Sequence, residues 1–146
     1  MANDPDKIQH RETPDLAAWD ALVLELGRDI ERVSDRLRGL SEARLAAAAP
    51  PHASRAAAAR ATAQTLADAA AGLEVGADPA SPTWRMLPEL SDLAAGDQLA
   101  VTGHDLLAAA QQAAPDDHAW ARHGRRTAHL VLSEAATALT ALRRLL

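Results

Sequence analysis

Phenylalanine, tyrosine and cysteine are absent from this chain, and lysine (Lys7) and asparagine (Asn3) each occur once. Without cysteine there is no disulfide, no thiolate zinc site and no thiol nucleophile. Without Phe and Tyr, the core of a 146-residue chain must come from leucine, alanine and a little valine, with Trp19, Trp84 and Trp120 as its only large rings. Long apolar runs are missing as well. No stretch approaches the ~20 apolar residues of a membrane span, and the opening MANDPDKIQHRETPD lacks the apolar segment of a secretory signal. A cytoplasmic protein without a membrane partner is expected. Positive charge is in deficit, with 15 Lys+Arg against 20 Asp+Glu and a net charge of −5. Phosphate backbones need a cationic face, so no nucleic-acid partner is expected.

Alanine makes up about a quarter of what is present. It favours helix, buries little area per residue, and lets facing helices approach to about 8 Å. Leu16, Trp19, Val23, Leu26, Ile30, Val33, Leu37 and Leu40 recur in a 3-4-3-4-3-4-3 rhythm, the seam of one long amphipathic helix. Thr13-Pro14-Asp15 supplies its start and Gly39 its end. Ser41 can cap a short helix that stops at Pro50-Pro51. A second long helix over 54–72 carries a thin, alanine-rich stripe, and the segment 74–83, with Gly76, Asp78-Pro79 and Ser81-Pro82, reads as loop. Trp84, Met86 and Leu87 are expected to plug one end of the molecule. A third long helix places Gly96, Leu99, Gly103, Leu106 and Ala110 on one line. Two glycines there cost helix stability and imply a backbone approach closer than a Cβ allows. Leu93, Val101 and Leu107 lie off that line and predict a broad buried arc. A fourth helix is expected from Pro115-Asp116-Asp117 to the C-terminus, with more apolar arc than one core absorbs, which predicts a homodimer through the third or fourth helix. The fold class expected is all-α: an up-and-down four-helix bundle with one short extra helix, residues 1–12 a flexible tail and 13–146 a single domain.

Chemistry is harder to find. None of the six histidines stands at i, i+3 or i+4 from another, there is no Glu-x-x-His, no Gly-x-Ser-x-Gly and no glycine-rich phosphate loop. No catalytic residue, metal ligand or cofactor is assigned. Residues 97–105 are the densest mix of polar and small groups on an expected buried helix, so a pocket is sought at Asp97, Gln98, His104 and Asp105, with Trp84 and residues 74–90 as its lid. His104 itself is expected to be a hydrogen-bonded packing residue. On the expected fourth helix His118, Arg122, Arg125 and His129 follow a 4-3-4 spacing and would form one polar stripe, suited to a small anionic ligand or an acidic protein partner. The candidate ligand-binding set is therefore Trp84, Asp97, Gln98, His104, Asp105, Arg122, Arg125 and His129.

The first half of the chain, a long amphipathic helix closing on Gly39-Leu40-Ser41-Glu42-Ala43-Arg44-Leu45 followed by a Pro-containing loop and a second helix, resembles the DinB-like bundles, including the amino-terminal domain of mycothiol-dependent maleylpyruvate isomerase. The resemblance implies an up-down-down-up four-helix bundle, often dimeric, with a metal held by three histidines from different helices. The second helix here offers Gln64 and Thr65 but no histidine, so that metal pattern is not matched. The leading expectation is a non-catalytic dimeric interaction or ligand-binding module. The alternative is a metal-dependent transferase or hydrolase using His104 with His118, His123 or His129.

Overall fold

The leucine seam of the first helix becomes α1 (Leu16–Arg38), which buries Trp19, Leu26, Ile30, Val33 and Leu37. The computed structural model describes residues 16–146, so the expected tail and the Thr13-Pro14-Asp15 helix start lie outside the described residues. Gly39 ends α1 as its spacing suggested, its N–H donating to the carbonyls of Asp35 and Arg36. The short α2 (Glu42–Ala46) begins where the Ser41 hydroxyl accepts from the Arg44 N–H at 3.3 Å. In α3 (Arg55–Val75) the Ser54 hydroxyl caps the first turn, accepting from the Ala57 N–H at 3.0 Å. The helix buries Ala56, Ala59, Ala63, Leu66, Ala70 and Leu73. It runs past Gly72 and stops at Gly76, whose φ of 56° suits a residue without a side chain.

A 3-10 turn (Asp92–Ala94) leads into α4 (Ala95–Gln111), which packs on both α1 and α3. The glycine line performs the task expected of it. A Cβ added at Gly96 would stand 2.8 Å from the Ser34 carbonyl oxygen, and one at Gly103 would stand 2.6 Å from Ile30 Cγ2. The buried arc of α4 is narrower than expected, because Leu99, Leu106 and Ala110 fill the contacts with α1 and α3 while Leu93 and Val101 stay exposed. The last helix, α5 (Ala128–Leu145), packs on α3 and α1 through Ala128, Leu132, Ala135, Leu139 and Leu142. Consecutive long helices do not all pack along one another: α1 lies against α4 and α5, and α3 lies against α4 and α5. An up-and-down order would have made α1 and α3 neighbours, and likewise α4 and α5.

The largest departure from expectation lies between Pro115 and Thr127. Instead of opening the last helix, this segment forms a hairpin, β1 (His118–Ala121) antiparallel to β2 (Gly124–Thr127), turning on Arg122-His123. The molecule is therefore mostly helical with a small two-stranded sheet, not all-α. Three local features explain it. Gly124 sits at φ 140°, a conformation side chains resist. Trp120 faces Arg125 across the strands, with the guanidinium 5.1 Å from the ring centre. Thr127 caps α5 by accepting from the Leu130 N–H at 3.3 Å. Starting the helix there also keeps Arg122, Arg125 and Arg126 out of its first turn, where cations oppose the helix dipole. The hairpin lies on α3 at Gly72, where a Cβ would overlap the carbonyl oxygen of Trp120. Among the described residues no helix is long and apolar enough to cross a membrane.

Candidate functional site

Along α3 the polar residues Arg60, Gln64 and Asp68 stand four apart and so form one ridge on an otherwise alanine-rich helix. Each reaches a different part of the chain. Arg60 pairs with Asp92 before α4 at 2.9 Å. Gln64 holds the irregular segment beside it: its carbonyl accepts from the Leu87 N–H at 2.9 Å and its amide donates to the Arg85 carbonyl at 2.9 Å. The same amide also donates to Asp68 at 2.9 Å. From the α4 side Gln98 donates to the Pro88 carbonyl at 3.0 Å. Residues 82–88 thus form a strap fastened by two glutamine side chains, not by a backbone ladder.

Asp68 fastens the hairpin. Its carboxylate takes a two-pronged hydrogen bond from Arg122, Nε to Oδ2 at 2.6 Å and Nη2 to Oδ1 at 3.1 Å. The Arg122 guanidinium also lies 5.5 Å from the centre of the Trp84 ring. Hydrogen bonding to Asp68 raises the Arg122 pKa above its ordinary value, outweighing the opposing effect of desolvation. Trp84 of the strap, Arg122 of the hairpin and Asp68 of α3 meet as one cluster.

Cavities open on both sides of the ridge. Between α3 and the strap is a half-open groove of ≈540 Å³. Ala67, Ala70 and Ala71 form its floor, and Asp68, Glu74, Asp105 and Arg85 its polar rim. Its size lies within the few hundred to ~1,000 Å³ usual for small-molecule sites. On the hairpin side a smaller hollow of ≈170 Å³ is lined by Thr65, Asp68, Trp120, Arg122, His123 and Glu134.

The expected site residues divide into two groups. Trp84, Gln98, Asp105 and Arg122 lie at the strap, its fastenings or the groove beneath it. The other four do not join them. Asp97 is paired with Arg38 of α1 at 2.7 Å. His104 is exposed, with Nε2 2.6 Å from Glu31 Oε1, so it bridges α4 to α1 on the surface instead of packing inside. Arg125 covers Trp120 and donates to the Asp78 carbonyl at 3.3 Å, beside the Trp120 indole N–H, which donates to the same oxygen at 3.0 Å. His129 is exposed in the first turn of α5. The 4-3-4 stripe does not exist, because two of its members are on strands and a third is in the hairpin turn. Sequence reasoning missed Gln64 and Asp68, whose four-residue spacing with Arg60 was the available signal.

Among the described residues no group of three or more His, Asp or Glu side chains is arranged to hold a metal ion. His118 and His123 stand at opposite ends of the hairpin, and His104 is on α4. No protein-family model matches the chain, and no curated protein or solved structure is significantly similar to it.

Proposed function

We propose that this chain acts by binding and not by catalysis: a dimeric interaction and ligand-binding module on a bundle of four long helices, with its ligand site in the groove between α3 and the strap. The observation that carries this reading is the construction of the groove wall. Residues 82–88 lie over an alanine floor and are tied down by hydrogen bonds from Gln64 and Gln98, which leaves ≈540 Å³ beneath them. Such a wall can lift and reseat without breaking a helix or a sheet.

The rim selects the ligand. Asp68 is already engaged by Arg122, which leaves Glu74 and Asp105 facing the single cation Arg85. A small molecule with an apolar body and an ammonium group matches an apolar floor with an acidic excess at its edge. An anion would find only Arg85 to pair with there, against the carboxylates of Glu74 and Asp105, because Arg122 is held by Asp68. The metal-dependent alternative suggested by the DinB-like resemblance has no comparable cluster behind it, since His104 pairs with Glu31 and the hairpin separates His118 from His123.

Backbone amide chemical shifts followed during titration with phenethylamine, and separately with phenylacetate, test the proposal. The amine is expected to shift Ala67, Ala70, Ala71 and Leu87, with the carboxylate leaving them in place. Site-specific shifts confined to the carboxylate and centred on Arg122 would reverse the charge assignment. No site-specific shift with either compound would contradict the reading.

A further inference from the structure

We propose that the outer face of α1 and α4 is a self-association surface on which a second copy of this chain docks, its α1 antiparallel to the first. The inference supplies the contact face for the dimeric reading above and rests on it. Leu16 and Leu24 on α1 are 64% and 58% exposed. Leu24 borders a shallow groove of ≈400 Å³ between the two helices, with Val23, Gly27 and Leu107 in its lining. A helix the length of α1 extends about 34 Å. With α4 beside it, the pair presents a face of the order of the ~800 Å² that each partner buries in a stable dimer.

Gly27 is the first specific pointer. Gly72, Gly96 and Gly103 each sit where a Cβ would collide with another part of the molecule. Gly27 does not, because a Cβ there would meet the Leu107 methyls at 3.5 and 3.8 Å, which is ordinary contact. Alanine would fit within this chain and would strengthen the middle of a long helix. Without a side chain, Gly27 keeps the wall of the groove low beside Leu107, where a partner helix can come close. It lies in the same groove as Leu24.

Charge is the second pointer, and it selects the partner. Asp20 and Arg28 flank Leu24 one turn to either side, both line the groove, and among the described residues neither side chain has an ion pair or hydrogen bond. They are about 12 Å apart along the helix, too far to pair with each other. A two-fold axis through Leu24 turns that pattern onto itself: Asp20 faces the partner's Arg28, and Arg28 faces the partner's Asp20. Leu24 then packs on its own counterpart, and Gly27 admits the crossing backbone. An acid and a base placed symmetrically about an exposed leucine are the pattern that an isologous contact requires.

Sedimentation velocity across the micromolar range tests this with three proteins: the unsubstituted chain, Asp20→Arg, and the double variant Asp20→Arg/Arg28→Asp. Asp20 and Arg28 are exposed, and circular dichroism checks that the variants remain folded. The unsubstituted chain is expected to dimerise, Asp20→Arg to weaken association at least ~10-fold by setting arginine against arginine, and the double variant to restore it. A chain that stays monomeric at high micromolar concentration would overturn both this face and the dimeric reading, leaving the groove to another partner. A dimer that Asp20→Arg leaves intact, or that the charge exchange does not restore, would overturn the face alone.

Discussion

Gly72 is where the hairpin backbone touches α3, and Gly72→Ala would force a methyl into the Trp120 carbonyl. The hairpin must move away or the helix must bend, and overpacking of this kind costs about 1–3 kcal/mol. Urea denaturation should show that loss, together with a changed Trp120 fluorescence; unchanged stability would show that the hairpin is not seated as described. Gly103→Ala acts through Ile30 and is expected to cost a similar ~1–3 kcal/mol by the same measurement. The line of Gly96 and Gly103 is plain in the sequence, since glycines one heptad apart weaken a helix and so point to a neighbour packed against its backbone. The role of Gly72 is not, because a glycine near a helix end reads first as a terminator.

At the level of elements, the helices were legible and the hairpin was not. The leucine seam runs along α1 to its end before Gly39, and Ser54 marks the start of α3, but the end of α3 reads from the sequence as Gly72, one turn short of Gly76. Residues 118–127 read as helix because His118, Arg122, Arg125 and His129 happen to fall at helical spacing, while the competing signals are single residues: the glycine after Arg122-His123 and the Thr127 cap. Thr127→Val removes the cap without changing the side chain's size, and should cost about 1 kcal/mol of stability. An unchanged melting curve would show that α5 does not depend on starting there. The strap gives a sharper test, since Gln64 supplies two of its fastenings. Gln64→Leu should leave the global stability close to that of the parent while the Leu87 amide exchanges with solvent faster. Equal protection in parent and variant would mean that something other than Gln64 holds the segment.

Across the whole molecule, periodicity told which face of each helix is buried but not which helix it meets. Nothing in the heptads of α1 distinguishes α3 from α4 as its neighbour, so the order of packing became visible only in three dimensions. The site suffered similarly. Trp84, Gln98 and Asp105 were visible beside an expected pocket and Arg122 in an expected polar stripe on the last helix, but what joins the strap and the hairpin is the α3 ridge, where Gln64 holds residues 85 and 87 and Asp68 holds Arg122. That ridge was hidden because two polar residues on an alanine-rich helix look like ordinary solvated positions. The central claim is that this ridge, with the strap and the hairpin it holds, makes a receptive groove. Nuclear Overhauser contacts from the ring protons of bound phenethylamine test it most directly. Contacts to the methyls of Ala67, Ala70 and Ala71 are predicted; ring contacts found only at Leu24 and the outer face of α1, or nowhere, would contradict the account.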